Sequence, residues 1–215
     1  MSLISKKKIS DYAKMIKFSH TVFALPFALS ATLMAWEKHP GSAATVIWIL
    51  LAMVGARSAA MGFNRIIDAN IDAKNERTAI REIPSGVLSQ KEALVFVAVS
   101  AIVFVFSAAM LSRLCFWLSF PVLFILLFYS YTKRFTRYCH LYLGFAIGLA
   151  PVGAWVAVAG TLSWSAVYLS LALMTYIAGF DILYACQDID FDRQEGLFSM
   201  PAALGAKKAM AVSSL

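Results

Sequence analysis

Six runs of mostly apolar residues, at roughly 21–37, 43–63, 92–112, 114–131, 140–160 and 163–186, govern what this chain can become. Each approaches the ~20 residues that a helix needs to cross a hydrocarbon layer. In hydrocarbon a helix satisfies its own backbone hydrogen bonds, so a helix is the form such a run takes. The sequence therefore predicts an all-α, polytopic transmembrane bundle with six complete spans. The closing stretch "AKKAMAVSSL" reads as the start of a seventh, with further C-terminal spans expected beyond it. Composition agrees: 60% of the residues are hydrophobic and 14% charged, where a soluble domain carries nearer a quarter charged. Pro26, Pro121 and Pro151 fall inside runs, as membrane-helix prolines do.

The N-terminal "SKKK" followed by an apolar run resembles a cleaved leader only superficially. A dozen polar and mixed residues separate the two, no A-x-A exit follows, and the run is near spanning length. Residues 10–20, "SDYAKMIKFSH", read instead as an amphipathic helix on the membrane surface. The expected organisation is an N-terminal cytoplasmic segment, 1–20, then one transmembrane domain, 21–215. Cys115, Cys139 and Cys186 are scattered and form neither a disulfide framework nor a thiolate metal site.

Charge sets the orientation. Of 19 Lys and Arg, five lie in 1–17, five in 64–91, three in 132–138 and three in 193–208. The alternate loops hold only Lys38 and Arg113. This asymmetry puts the N-terminus and the long loops in the cytoplasm of an inner-membrane protein. The net charge of +7 then serves orientation and attraction to anionic lipid or substrate, with no sign of nucleic-acid binding.

The acids are segregated too. Asp68, Asp72, Glu76 and Glu82 follow the second run, and Asp181, Asp188, Asp190, Asp192 and Glu195 close the sixth. Asn64, Asp68 and Asp72 are spaced i, i+4, i+8, which stacks them on one helix face. Asp181, Asp188 and Asp192 follow i, i+7, i+11, again one face, with Tyr184 at i+3. Two acidic faces at one boundary repel unless something positive lies between them. Carboxylates suit Mg²⁺, which is bound by one or two of them together with substrate phosphates. The pattern points to a diphosphate bridged by Mg²⁺. Glu76, Glu82 and Glu195 read as solvated loop residues.

Arg57 lies two turns before Asn64 on the same face, inside an apolar run where it needs an anion. The loops add Arg77, Arg81, Lys133, Arg134 and Arg137 as candidate substrate contacts. His20, His39 and His140 have no second ligand at metal-binding spacing. Aromatics such as Phe120, Phe124, Phe128, Tyr129 and Tyr131 read as lipid-facing or packing residues, with some free to line an apolar tunnel.

Together these motifs resemble the UbiA family of intramembrane prenyltransferases. "NRIIDANID" matches its N-x-x-x-D-x-x-x-D signature, preceded at the family's distance by Arg57 and followed by "RTAIREIPSG". "DIDFD" at 188–192 matches its D-x-x-x-D, and "YSYTKR" resembles its Y-P-x-x-K-R loop. The matches fall in order along essentially the whole chain. The resemblance implies a helical bundle whose active site opens near the cytoplasmic face. There Mg²⁺ ionises a polyprenyl diphosphate, and the allylic cation alkylates a ring carbon of an aromatic hydroxy acid in ubiquinone or menaquinone biosynthesis. Carried over by residue, Asn64, Asp68, Asp72, Asp188 and Asp192 hold metal and diphosphate. Arg57 and Lys133 contact phosphate or the acceptor's carboxylate, with Arg134, Arg77, Tyr184 and Asp181 as further substrate-binding candidates.

Two positions depart from the common pattern: Arg65 follows Asn64 where many members have Asp, and Phe198 stands where many have Lys. "GLFSMP" resembles the branch that prenylates 1,4-dihydroxy-6-naphthoate, alongside 4-hydroxybenzoate as the alternative acceptor. Two other classes are weighed. A CDP-alcohol phosphotransferase would carry its acids on one helix behind a D-G-x-x-A-R run, which this chain lacks. A cation transporter would set them near the bilayer midplane at broken helices.

Overall fold

The computed structural model describes residues 3–17 and 23–214. Among these it is all-helical: α1 (Leu3–Met15), α2 (Leu25–Trp36), α3 (Ala43–Asp72), α4 (Gln90–Leu111), α5 (Arg113–Thr132), α6 (Cys139–Ala159) and α7 (Trp164–Ala185). A 3₁₀ turn, Cys186–Asp188, then leads into α8 (Ile189–Gln194), α9 (Met200–Leu204) and α10 (Ala206–Ser213).

The helix starts are written locally. Ser42, Ser89, Ser112 and Ser163 stand in extended backbone before α3, α4, α5 and α7, and each side chain accepts a first-turn N–H. That satisfies one of the donors a helix start leaves open. At α4 the cap is reciprocal, since Glu92 accepts in turn from the Ser89 backbone.

Five helices, where six were expected, are long and apolar enough to cross a membrane: Ala43–Asp72, Gln90–Leu111, Arg113–Thr132, Cys139–Ala159 and Trp164–Gln194. The first expected span is the exception. Its described helix, α2, has 12 residues, about 18 Å at the usual helical rise, against a ~30 Å core. Pro26 sits in its first turn, where the missing N–H costs nothing. It starts this helix and does not kink it.

Small residues bring the helices together, as interhelical packing in lipid requires. A Cβ on Gly55 of α3 would lie 2.8 Å from the Phe104 backbone nitrogen of α4, and one on Gly144 of α6 would lie 2.3 Å from the Met174 carbonyl of α7. Ala28, Ala31 and Ala35 of α2 join Ala154 and Trp155 of α6 in a buried cluster. The large side chains turn outward: Val95, Ile102, Trp117 and Phe124 are each more than 60% exposed, the arrangement of a wall meant for lipid.

The N-terminal helix differs from its expected place. It spans Leu3–Met15 and ends before Lys17, whose φ is 46°; residues 18–20 of the expected helix, His20 included, lie outside the described residues. Its last turn is docked on the bundle. Met15 and Ile16 are buried with Ala69, Leu88 and Ala93. Tyr12 stacks on Phe96 at 4.9 Å. Arg65, 5% exposed, donates from Nε to the Met15 carbonyl at 3.1 Å. The residue that marked a departure from the family pattern thus ties α1 to the end of α3.

Candidate functional site

The last three turns of α3 carry the first acidic arm. Because α3 is one unbroken helix of 30 residues, the i, i+4, i+8 spacing does put Asn64, Asp68 and Asp72 on one face. Asp68 and Asp72 are 2% and 4% exposed. Buried charges need partners, and each has them. Asn64 donates from Nδ2 to Asp68 Oδ2 at 2.9 Å. Lys133, just past the end of α5, donates from Nζ to the same oxygen at 2.7 Å. Arg134 donates to Asp68 Oδ1 at 3.1 Å and to the Ile67 carbonyl at 3.0 Å. Arg81 donates from Nη1 to both oxygens of Asp72, at 2.7 Å each. Thr78 Oγ1 donates to the Asp72 carbonyl at 3.0 Å, which folds the following loop back onto the helix end.

The second arm corrects the single-face expectation. The helix is interrupted by the 3₁₀ turn at Cys186–Asp188. Three residues at 3.0 per turn instead of 3.6 rotate the succeeding helix, α8, by about 60°. Asp181, Asp188 and Asp192 consequently meet different partners. Asp188 is held by Asn75 Nδ2 at 3.0 Å and by Arg77, whose Nε donates at 3.1 Å and whose Nη2 bonds the other oxygen. Arg77 Nη1 donates to the Tyr184 hydroxyl at 2.8 Å. Burial alone would lower the Arg77 guanidinium, but its bonds to Asp188 outweigh that and hold it above its ordinary value. Asp192 accepts from the Ser199 hydroxyl at 2.7 Å. Asp181, expected among substrate contacts, is hydrogen-bonded at 2.7 Å to Nδ1 of His140 on α6.

The two arms are stitched together. The loop after α3 supplies Asn75 and Arg77 to Asp188 of the second arm. Lys133 binds Asp68 through its ammonium while its carbonyl accepts the Phe198 N–H at 2.7 Å. At the charged end of the bundle three carboxylates, Asp68, Asp72 and Asp188, are therefore each paired with Lys or Arg. Arg57 stands two turns deeper on α3, about 10 Å from Asn64 along the helix axis, and among the described residues its buried Nε has no hydrogen-bond partner. Glu76 and Asp190 are exposed, and Glu195 pairs with Lys74 at the surface.

Residue spacing did not reveal Asn75, Ser199 or the pairing of His140, and it left Arg81 as one loop charge among several. These contacts join loops and helices far apart in the chain, where periodicity carries no information.

Among the described residues, no three His, Cys, Asp or Glu side chains stand close enough to make a metal cage from protein alone. The donors present are hard carboxylate oxygens, and Mg²⁺ is ordinarily held by one or two of those with substrate phosphates and water. The donor chemistry thus fits Mg²⁺ arriving with a diphosphate.

An apolar multi-pass bundle that gathers two acidic arms and their basic partners at one end defines a membrane protein with a polar, charged site at one end of its helices. The chain belongs to the UbiA prenyltransferase family, whose pattern it matches over residues 24–215. It is 30% identical over 210 residues to the 4-hydroxybenzoate octaprenyltransferase of Dechloromonas aromatica, covering 96% of this chain and 71% of that one. It is 35% identical over 156 residues to a polyprenyl transferase of Arthrobotrys oligospora, covering 71% of this chain but 42% of the relative's length. The fold superposes on the apo structure of a UbiA homologue from Aeropyrum pernix K1 with a TM-score of 0.84 at 39% identity, covering 91% of this chain and 73% of that one. It superposes on a UbiA homologue from Archaeoglobus fulgidus solved with GPP and Mg²⁺ with a TM-score of 0.77 at 18% identity, covering 95% and 72%. The phosphotransferase and transporter readings fall with this assignment.

Proposed function

We propose that this protein transfers a polyprenyl group from a polyprenyl diphosphate to a ring carbon of an aromatic hydroxy acid, 4-hydroxybenzoate or 1,4-dihydroxy-6-naphthoate, in quinone biosynthesis. The observation that carries this reading is the cluster of paired carboxylates and cations from both acidic arms at the charged end of an apolar bundle. A diphosphate alone would be repelled by the four Asp, and Mg²⁺ alone by the Lys and Arg. A diphosphate carrying Mg²⁺ satisfies both sets at once. Bound Mg²⁺ supplies neutralisation of the charge that develops on the departing diphosphate.

The protein's own groups do the rest. Asp68, Asp72 and Asp188 would exchange their Lys and Arg partners for the metal side of the substrate, and Asn64 and Asp192 would join them there. Lys133, Arg134, Arg77 and Arg81 turn to its phosphate oxygens, for which guanidinium is geometrically suited. Each charge leaves one partner for another, so none is stranded in a poorly solvated site. Arg57, whose Nε has no partner among the described residues, takes an anion deeper in the bundle: the acceptor's carboxylate or a phosphate oxygen. The apolar interior holds the isoprenoid tail and keeps water from the allylic cation. Tyr184, bonded to Arg77, borders the site. The relatives named 4-hydroxybenzoate octaprenyltransferase support the reaction class, and the fold shared with a homologue that binds GPP and Mg²⁺ supports the cofactor. The Lys and Arg distribution supports a cytoplasmic N-terminus and a site facing the cytoplasm of an inner membrane.

The test is turnover of radiolabelled polyprenyl diphosphate by the full-length protein with a panel of aromatic acids. EDTA is expected to abolish transfer and Mg²⁺ to restore it; full activity in EDTA ends the reading. The ratio of kcat/KM for the two acids assigns the acceptor, because that quantity measures discrimination.

A further inference from the structure

Asp192 differs from the other three carboxylates of the two arms. Both oxygens of Asp68, Asp72 and Asp188 are taken up by Lys, Arg or Asn. Among the described residues, Asp192 has one side-chain partner, the Ser199 hydroxyl at Oδ2. Its Oδ1 is left free for a ligand.

Ser199 is itself held tightly. It is 4% exposed and is the N-cap of α9, where its Oγ accepts the Ala202 N–H at 3.2 Å. With a lone pair so engaged, the hydroxyl proton is directed at Asp192. The next residue is fixed as well. The Met200 N–H donates to His140 Nε2 at 3.3 Å, and the opposite ring nitrogen faces Asp181 Oδ2 at 2.7 Å. An Nε2 that accepts leaves the proton on Nδ1, where Asp181 receives it. Asp181 thereby selects the tautomer that can hold Met200. His140 is 3% exposed, so its ring is shielded from bulk water. The preceding residue is pinned by the Phe198 N–H to the Lys133 carbonyl at 2.7 Å. Three successive residues, 198–200, are thus bonded to α6, to the end of α5 and to Asp192.

We propose that Ser199, together with the His140–Asp181 pair acting through Met200, positions the Asp192 carboxylate so that its free oxygen faces the metal–diphosphate site. These are positioning residues that do not touch substrate. Asp181 then serves the site through His140 rather than by binding substrate itself. The inference rests on the reading that Asp192 takes part in holding Mg²⁺ and diphosphate. Partners of this kind that orient a metal-binding carboxylate typically matter by about 10–100-fold in affinity or activity.

The experiment measures binding directly, with Mn²⁺ standing in for Mg²⁺ and inorganic diphosphate for the substrate headgroup. Free Mn²⁺ is followed by electron paramagnetic resonance on the full-length protein in nanodiscs. Ser199→Ala and His140→Phe are each expected to weaken Mn²⁺ binding by about 10-fold. Ser199→Thr, which keeps the hydroxyl, is expected to restore most of it. The double variant Ser199→Ala/His140→Phe should be little worse than either single, because residues acting through one carboxylate are not additive. His140→Gln, which keeps an acceptor for Met200, guards against a His140→Phe protein that does not fold. Wild-type affinity in Ser199→Ala alongside loss in Asp192→Asn overturns the positioning role and leaves the proposed reaction standing. Wild-type affinity in Asp192→Asn overturns the placement of the site, and this inference with it.

Discussion

The two acidic arms do the same kind of work from opposite kinds of backbone. The first is the end of one continuous helix, α3, and its Asp68 and Asp72 are almost fully buried. Each is clamped by Lys or Arg from elsewhere in the chain. The second runs through a 3₁₀ turn and a six-residue helix. Asp188 keeps part of its surface open, and Asp192 keeps an oxygen without a protein partner among the described residues. The first arm is thus the more deeply buried and fully paired, whereas the second keeps one carboxylate oxygen without a protein partner among the described residues.

The largest effect that could break this comparison concerns turnover. Asp68→Asn and Asp192→Asn are each expected to lower prenyl transfer by roughly 10²-fold or more, the scale of losing one stabiliser of developing charge. Steady-state kcat on full-length protein measures it. A silent Asp192→Asn would mean that the first arm works alone.

Stability separates the arms next. Arg81→Gln strands Asp72, whose side chain is 5% exposed, and is expected to cost about 3 kcal/mol, as unpairing a buried charge does. Arg77→Gln leaves Asp188 with Asn75 and with more access to water, so about 1 kcal/mol is expected. Thermal unfolding followed by intrinsic fluorescence compares the two. Equal losses would show that both arms are clamped alike.

Smaller still is the surface pair Lys74–Glu195, with the lysine side chain 59% exposed. Lys74→Ala is expected to cost less than about 1 kcal/mol in the same unfolding assay. The smallest effect belongs to Glu76, which is exposed. Glu76→Gln should change turnover by less than about twofold, on the scale of ordinary surface substitutions. A loss from Glu76→Gln as large as that from Asp68→Asn would move the site into the loop after α3.

Five membrane-spanning helices could be read from apolar length alone, because a hydrocarbon solvent leaves the backbone one local solution. The first arm was equally legible, since period 3.6 maps spacing to a face when the helix is unbroken. The same rule misled at the second arm. Residues 181–194 contain neither Pro nor Gly, so nothing in them announces the 3₁₀ turn that rotates Asp192 away from the face of Asp181. The short α2 escaped for a related reason: an apolar run records a preference for hydrocarbon, not where its helix begins.

By itself, then, the sequence determined the helical class, the apolar character of the crossing segments, and which acids share the face of α3. These are properties of single segments meeting a solvent. Tertiary structure decided the partners: Lys133 for Asp68 across 65 positions, Arg77 for Asp188 across 111, Arg65 for the Met15 carbonyl, and His140 for Asp181. Such pairs depend on how closely helices approach at Gly55 and Gly144 and on how loops fold over their ends. A buried charge accepts whichever opposite charge packing brings within reach, and that choice is not made within any one segment of the chain.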